Sequence, residues 1–145
     1  MSDVTANGSR IARPAAPAPA GRYEGTFSVD DLADVRRLAA DHGRHAGLSP
    51  RRVSDFVLAV NEIATNAIRH GCQRARLRLW TTPNGAHCEV YGGRWISEEH
   101  PSAIRLDDTD SLRLWLVWQI CSDVALSHGP GGTTVRLSVD ANERG

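Results

Sequence analysis

The stretch from Ser49 to Gly71 reads SPRRVSDFVLAVNEIATNAIRHG, and its apolar spacing decides the fold. Ser49 suits an N-cap, and Pro50 suits the first helical position, where its missing N–H would find no partner anyway. Val53, Phe56, Val57, Val60, Ile63, Ala64, Ala67 and Ile68 recur at the spacing of one helix face. Gly71 is a natural C-terminal stop. At about 100° per residue, Asp55, Asn66 and Arg69 fall within roughly 40° of Glu62, on the side opposite the apolar stripe. A carboxylate and an amide one turn apart suit chemistry: Asn offers an oxygen to Mg²⁺, and Glu accepts a proton from a hydroxyl or orients a water. A merely solvated helix face fits the same pattern. Asn in a helix interior is a mild oddity, because it prefers caps and turns.

Upstream, Tyr23 to Phe27 reads as a short strand. Ser28-Val29-Asp30-Asp31 reads as a capping box, followed by Leu32, Val35, Leu38 and Ala39 at helical spacing in a helix that ends before Gly47. Downstream the period changes to two. Ala75, Leu77 and Leu79 alternate with Arg74, Arg76 and Arg78, and Ala86, Cys88 and Val90 alternate with His87, Glu89 and Tyr91. Pro83-Asn84-Gly85 lies between them, so the two runs predict an antiparallel hairpin with one wet face. The irregular stretch Gly92 to Asp110 is long enough to be functional or mobile. Asp110 or Ser111 then caps a third helix, Leu112 to Cys121, apolar nearly all round. Val124 and Leu126, the turn Gly129 to Gly132, and Val135, Leu137 and Val139 complete two further strands. The pattern predicts an α+β two-layer sandwich, a mainly antiparallel sheet with three helices on one face.

Residues 1–21, rich in Ala and Pro, read as a disordered tail ahead of one folded domain over 22–145. The 145 residues carry 17 basic and 17 acidic side chains, so no net field draws in nucleic acid or an anionic membrane. Every basic residue is arginine, which excludes a Walker A loop and Schiff-base chemistry. The longest apolar runs, Phe56–Val60 and Leu114–Trp118, fall far short of a membrane span, and no secretory h-region is visible. Cys72, Cys88 and Cys121 form no CxxC pair, so neither a disulfide framework nor a zinc site is expected, and the chain reads as cytoplasmic. The six histidines show no metal-ligand spacing. Cys88 and Cys121 read as core filling. Trp115 and Trp118 fit core packing or partner contact, and Trp95 fits an interface anchor. Arg74, Arg76, Arg78 and Arg136 share the outer sheet face, which reads as solvated or as a binding stripe. Direct nucleic-acid binding is not expected with zero net charge and few aromatics.

From Val57 to Gly71 the sequence resembles the N-box of the GHKL ATPase superfamily, specifically its anti-sigma-factor serine kinases. Leu114-Trp115-Leu116-Val117 and Ser127 through Leu137 are similar to the same proteins, in the same order and spacing. The resemblance covers about residues 22 to 140. It implies a Bergerat-type (histidine-kinase-ATPase-like) sandwich, with ATP between the N-box helix and a lid. Glu62 matches the family's general base, Asn66 its Mg²⁺ ligand, and Thr133, after Gly131-Gly132, its Gly-Thr nucleotide contact; Arg69 accompanies them on the same helix. The implied partners are an RNA polymerase sigma factor and a STAS-domain anti-anti-sigma factor, with a homodimer by analogy. The implied activity is phosphoryl transfer from Mg-ATP to a serine of that antagonist.

The chain departs from the family pattern at its glycine motifs. Where the family has Val-x-Asp-x-Gly-x-Gly, this sequence has Val90-Tyr91-Gly92-Gly93-Arg94-Trp95-Ile96, with Gly92 in place of the adenine-binding Asp. Where the lid motif has Gly-x-Gly-Leu, it has Ser111-Leu112-Arg113-Leu114. Ser111 is tolerable at a phosphate-binding helix start, whereas Arg113 either clamps a phosphate or fills the site. The expectation is therefore an anti-sigma-type binding protein with weakened or lost ATP binding. The alternative is an active Mg-ATP-dependent serine kinase with Glu62 as base and Asn66 as metal ligand.

Overall fold

The computed structural model describes residues 22–69, 73–92, 109–129 and 132–141, with the side chains of 109–114 and of His128 left aside. The expected N-terminal tail, the helix stop at Gly71, Cys72 and Trp95 lie outside these residues. Strand β1 (Arg22–Phe27) leads through a 3-10 turn at Val29–Asp31 into α1 (Leu32–His45) and then α2 (Pro50–Arg69). The hairpin β2 (Ala75–Thr82) and β3 (Gly85–Gly92) follows, then α3 (Thr109–Ile120), β4 (Asp123–Gly129) and β5 (Gly132–Asp140). The five strands form one antiparallel sheet in the order β1-β2-β3-β5-β4.

Local chemistry sets these boundaries. The Ser28 N–H donates to Asp31 Oδ2 at 2.9 Å, which satisfies a free donor at the entry to the turn and explains why Asp31 is buried. Ser49 caps α2 by accepting from the Arg52 N–H at 3.2 Å. The hairpin turns through Pro83 and Asn84 alone, with Thr82 paired to Gly85. Gly85 has φ +154°, and a Cβ there would overlap the Val139 carbonyl oxygen, so close approach of β5 requires glycine. The third helix begins at Thr109, ahead of the predicted cap, so Ser111 lies within its first turn rather than before it.

The period-two pattern becomes burial directly. Phe27, Leu77, Leu79, Cys88, Val90, Val135, Leu137 and Val139 line the inner sheet face and are sealed from solvent. Val35 and Ala39 of α1, and Phe56, Val60, Ile63 and Ala64 of α2, cover them. Each fully buried Leu, Val or Phe contributes about 1.5–3 kcal/mol, so this layer is the main source of stability. α2 packs against α1 and α3 and over the central strands β3 and β5, which places its middle turns at the heart of the molecule.

Candidate functional site

The α2 helix departs from the sequence expectation in one consequential way. Ala59 and Asn66 are buried, while Val57 and Ile68 are only half-buried. With Glu62 at zero, the buried arc runs from about 40° at Asn66 to about 200° at Ala64, instead of centring on the opposite side. The physical reason is that α2 is flanked by two helices as well as the sheet, so its covered arc is wider and turned toward Asn66. Asn66 is therefore not on a solvated face; it is 6% exposed. Glu62 sits beside it, half-buried, and Arg69 is exposed. Asp31, the other buried acid or amide side chain among the described residues, has a capping task; nothing described gives Asn66 one.

Gly92, Gly132 and Thr133 meet at one end of the sheet. Gly92 ends β3 and pairs with Thr133, and Gly132 opens β5 opposite Gly129. Thr133 is completely buried. Gly132 has φ +143°, a conformation that favours glycine, so the chain enters β5 through a turn that a side chain would strain. At position 92 the backbone is present and no side chain is offered. The predicted sites thus fall into three on α2, Glu62, Asn66 and the exposed Arg69, and three at the β3–β5 end. Ser111 and Arg113 lie in the first half of α3, with side chains outside the described residues.

A residue that sequence reasoning passed over anchors the third helix. Arg52 Nη1 donates to Asp55 Oδ2 at 2.7 Å and to the Ile120 carbonyl at 3.1 Å, and Nη2 reaches Ser122 Oγ at 3.4 Å. Ser122 Oγ in turn accepts from the Asp140 N–H at 2.9 Å. A guanidinium at the last carbonyls of a helix satisfies an unpaired acceptor and opposes the negative end of the helix dipole. The start of α2, the end of α3 and the end of β5 are joined through this one side chain. An Arg-Asp pair three apart is visible in sequence, but nothing there links Arg52 to a carbonyl 68 residues away. Beside it, burial pushes the Cys121 thiol up to about 12, and burial raises Cys88 well above the usual thiol range. Cys88 lies in the core and Cys121 is half-buried at its edge, and both raised values disfavour the reactive thiolate.

The outer sheet face is a second concentration of polar groups. Arg78 and Arg136 both bond Glu89, at 2.9 and 3.1 Å, so one carboxylate is shared between two arginines of the stripe. Trp80 stacks on His87, with ring centroids 5.4 Å apart, and the Arg78 guanidinium lies 5.3 Å from the Trp80 ring centroid. His87 is hydrogen-bonded to Thr82 Oγ1 at 2.8 Å and to Ser138 Oγ at 2.7 Å. Burial lowers its pKa, Asp140 opposes that, and Arg136 adds to it. Trp115 is exposed and Trp118 half-buried, so the core-packing reading of this pair holds for neither fully.

The donor set suits magnesium carried by a phosphorylated ligand. Mg²⁺ favours one or two protein oxygens with phosphate and water completing the shell, and the buried Asn66 amide is an oxygen of the type that would fit. No cluster of three or more His, Cys, Asp or Glu side chains among the described residues offers a self-sufficient metal cage. Glu62 is the neighbouring carboxylate able to accept a hydroxyl proton. No helix of the described residues is long and apolar enough to cross a membrane. Residues 26–139 match the histidine kinase-like ATPase domain. No curated protein matches the chain.

Proposed function

Because the chain belongs to the histidine kinase-like ATPase domain family, we propose that it is an anti-sigma-type regulatory protein. In this reading it holds an RNA polymerase sigma factor, is released by a STAS-type anti-anti-sigma partner, and binds nucleotide weakly or not at all. The observation that carries this reading is Gly92. It occupies the end of β3, against Thr133, where the resemblance places an adenine-binding Asp, and it brings no acceptor side chain. Losing one specific buried hydrogen bond costs about 1–3 kcal/mol, or roughly 5- to 150-fold in affinity. In the sequence, Arg94 and Ile96 stand where the resemblance places two glycines and Arg113 where it places a lid glycine, which adds to the departure from the nucleotide-binding pattern. The exposed Trp115 and Leu116 on α3 support a role in partner contact.

A second reading keeps catalysis. Asn66 is buried with no described structural task, and Glu62 sits one turn away, the pair that a serine kinase of this kind would use. In that reading bound Mg-ATP supplies the phosphoryl group and the charge neutralisation. Asn66 would hold the metal through its amide oxygen, and Glu62 would accept the proton of the attacking serine hydroxyl.

The test presents the purified chain with the sigma factors of its own cell, one at a time, and follows complex formation by size-exclusion chromatography. The reading expects one stable complex, dissociated by a STAS-domain antagonist, with Glu62→Ala indistinguishable from wild type. A Glu62-dependent phosphorylation of the antagonist favours the kinase, and no complex with any sigma factor overturns the anti-sigma role.

A further inference from the structure

The register sorts the outer sheet face into rows of unlike character. Across β1, β2, β3, β5 and β4, one row reads Thr26, Arg76, Tyr91, Thr134 and Ser127, hydroxyls and a guanidinium with no carboxylate. The next row reads Glu24, Arg78, Glu89 and Arg136. Where the two rows meet, a concavity of about 320 Å³ is lined by Glu24, Arg76, Arg78, Glu89, Tyr91 and Thr134.

Its two carboxylates are not equivalent. The Glu89 side chain is only 14% exposed and is held from both sides, by Arg78 at 2.9 Å and Arg136 at 3.1 Å. Trp80 completes the hold on Arg78, with its ring centroid 5.3 Å from the guanidinium, and His87 stacks on Trp80 in turn. Arg78 is therefore set before any ligand arrives, which lowers the entropy cost of using it. Glu24 is different. Its side chain is 48% exposed and reaches Arg76 at 3.5 Å and Arg78 at 3.9 Å, looser than either bond to Glu89.

We infer that this concavity binds a small phosphate monoester. The site lies on the side of the sheet away from α2, apart from Glu62 and Asn66, and needs neither Mg-nucleotide nor a sigma factor. Arg136 offsets Glu89, which leaves Arg76 and Arg78 against the loosely held Glu24. Arg74, exposed just ahead of β2, adds a further positive charge. Four arginines against two glutamates leave an excess that matches the charge of about −1.5 to −2 on a phosphoryl group. Each guanidinium presents its N–H donors as a fork that takes phosphate oxygens in pairs, and Arg76 and Arg78 each use one nitrogen on a carboxylate. The Tyr91 and Thr134 hydroxyls add donors beside them. A carboxylate ligand brings too few oxygens and too little charge for this set. The Tyr91 ring, 38% exposed, gives the body of the ester an apolar wall. The volume stands at the small end of ligand pockets, which suits a phosphoryl group on a body of sugar size. Glu24 stands where the ligand binds and turns out to solvent when displaced.

The experiment is heteronuclear NMR of the full chain in EDTA, at constant ionic strength set with sodium chloride. The probes are inorganic phosphate, glucose 6-phosphate and a phosphoserine peptide. Saturable shifts are expected at the Arg76 and Arg78 Nε–H signals and at the Tyr91 and Thr134 amides, with the sugar phosphate binding most tightly. Arg76→Gln is expected to weaken that binding about tenfold or more. Glu24→Gln removes the competing carboxylate and is expected to tighten it about threefold or more, a gain that damage to the fold does not mimic. No saturable shift, shifts confined to α2, wild-type affinity in Arg76→Gln, or weaker binding in Glu24→Gln overturns the site. Tighter binding of the peptide than of the sugar phosphate overturns the assignment to a small ester.

Discussion

Asn66→Ala is expected to make the fold more stable while removing its proposed ligand for magnesium. Asn66 is 6% exposed in the last turn of the 20-residue α2. Three contributions set the magnitude. Alanine improves helix propensity by about 0.6 kcal/mol. The Asn66 amide keeps some access to solvent, so relief from burying it contributes only about 0.5–1 kcal/mol. Against these, removing three heavy atoms leaves about 30 Å³ of unfilled space, which costs about 0.7 kcal/mol at the usual cavity coefficient. The net is a gain of just under about 1 kcal/mol, or about 1–3 °C in Tm for a chain of this size. Differential scanning calorimetry without nucleotide reads it directly. A Tm that falls by more than about 2 °C would refute the reasoning, because Asn66 would then be holding the core together. A functional group kept at the cost of stability is a common feature of binding sites.

Other consequences follow from the same structure. Arg52→Ala removes bonds to Asp55 and the Ile120 carbonyl in a half-buried setting and is expected to cost about 2–3 kcal/mol by urea denaturation. Arg52→Lys is expected to recover only part of that, because one ammonium cannot span the same partners; full recovery by lysine would contradict the staple. Burial lowers the His87 pKa, so the unfolded chain binds the proton more readily. Its contribution to stability is complete above about pH 6.5 and is lost as pH falls through 6.5 toward the lowered folded value. Melting curves between pH 7.5 and 5 are expected to show this slope in wild type and a flatter one in His87→Gln; equal slopes would dismiss the assignment. With the Cys88 thiol raised well above its usual range and Cys121 near 12, neither reacts as a thiolate at pH 8. In a Cys72→Ser variant, Ellman's reagent is expected to label the native protein no faster than it unfolds.

The elements were legible because period and caps agreed. Alternation in β2 and β3 announced which side chains face the helices, and Leu77, Leu79, Cys88 and Val90 are all sealed. Ser49-Pro50 marked the start of α2, and Asn84-Gly85 marked the hairpin. Less was legible where tertiary contacts decide. The α2 stripe was read from one helix alone, so the flanking helices that turn its buried arc toward Asn66 left no local signal. The Arg52 anchor depends on residues 68 apart, and no periodic pattern connects them. The outer-face arginines were visible, but their order of charge across four strands needs the register, which puts β5 between β3 and β4. The motif residues on α2 were legible from the family resemblance and not from spacing, since a solvated face gives the same pattern.

Calorimetric titration of the purified chain with Mg-ATP bears most directly on the idea that an ATPase scaffold persists here as a docking platform. The account predicts no saturable heat up to about 1 mM nucleotide, with Asn66→Ala and wild type indistinguishable. A dissociation constant in the micromolar range that is lost in Asn66→Ala would contradict it and return the chain to the enzymes.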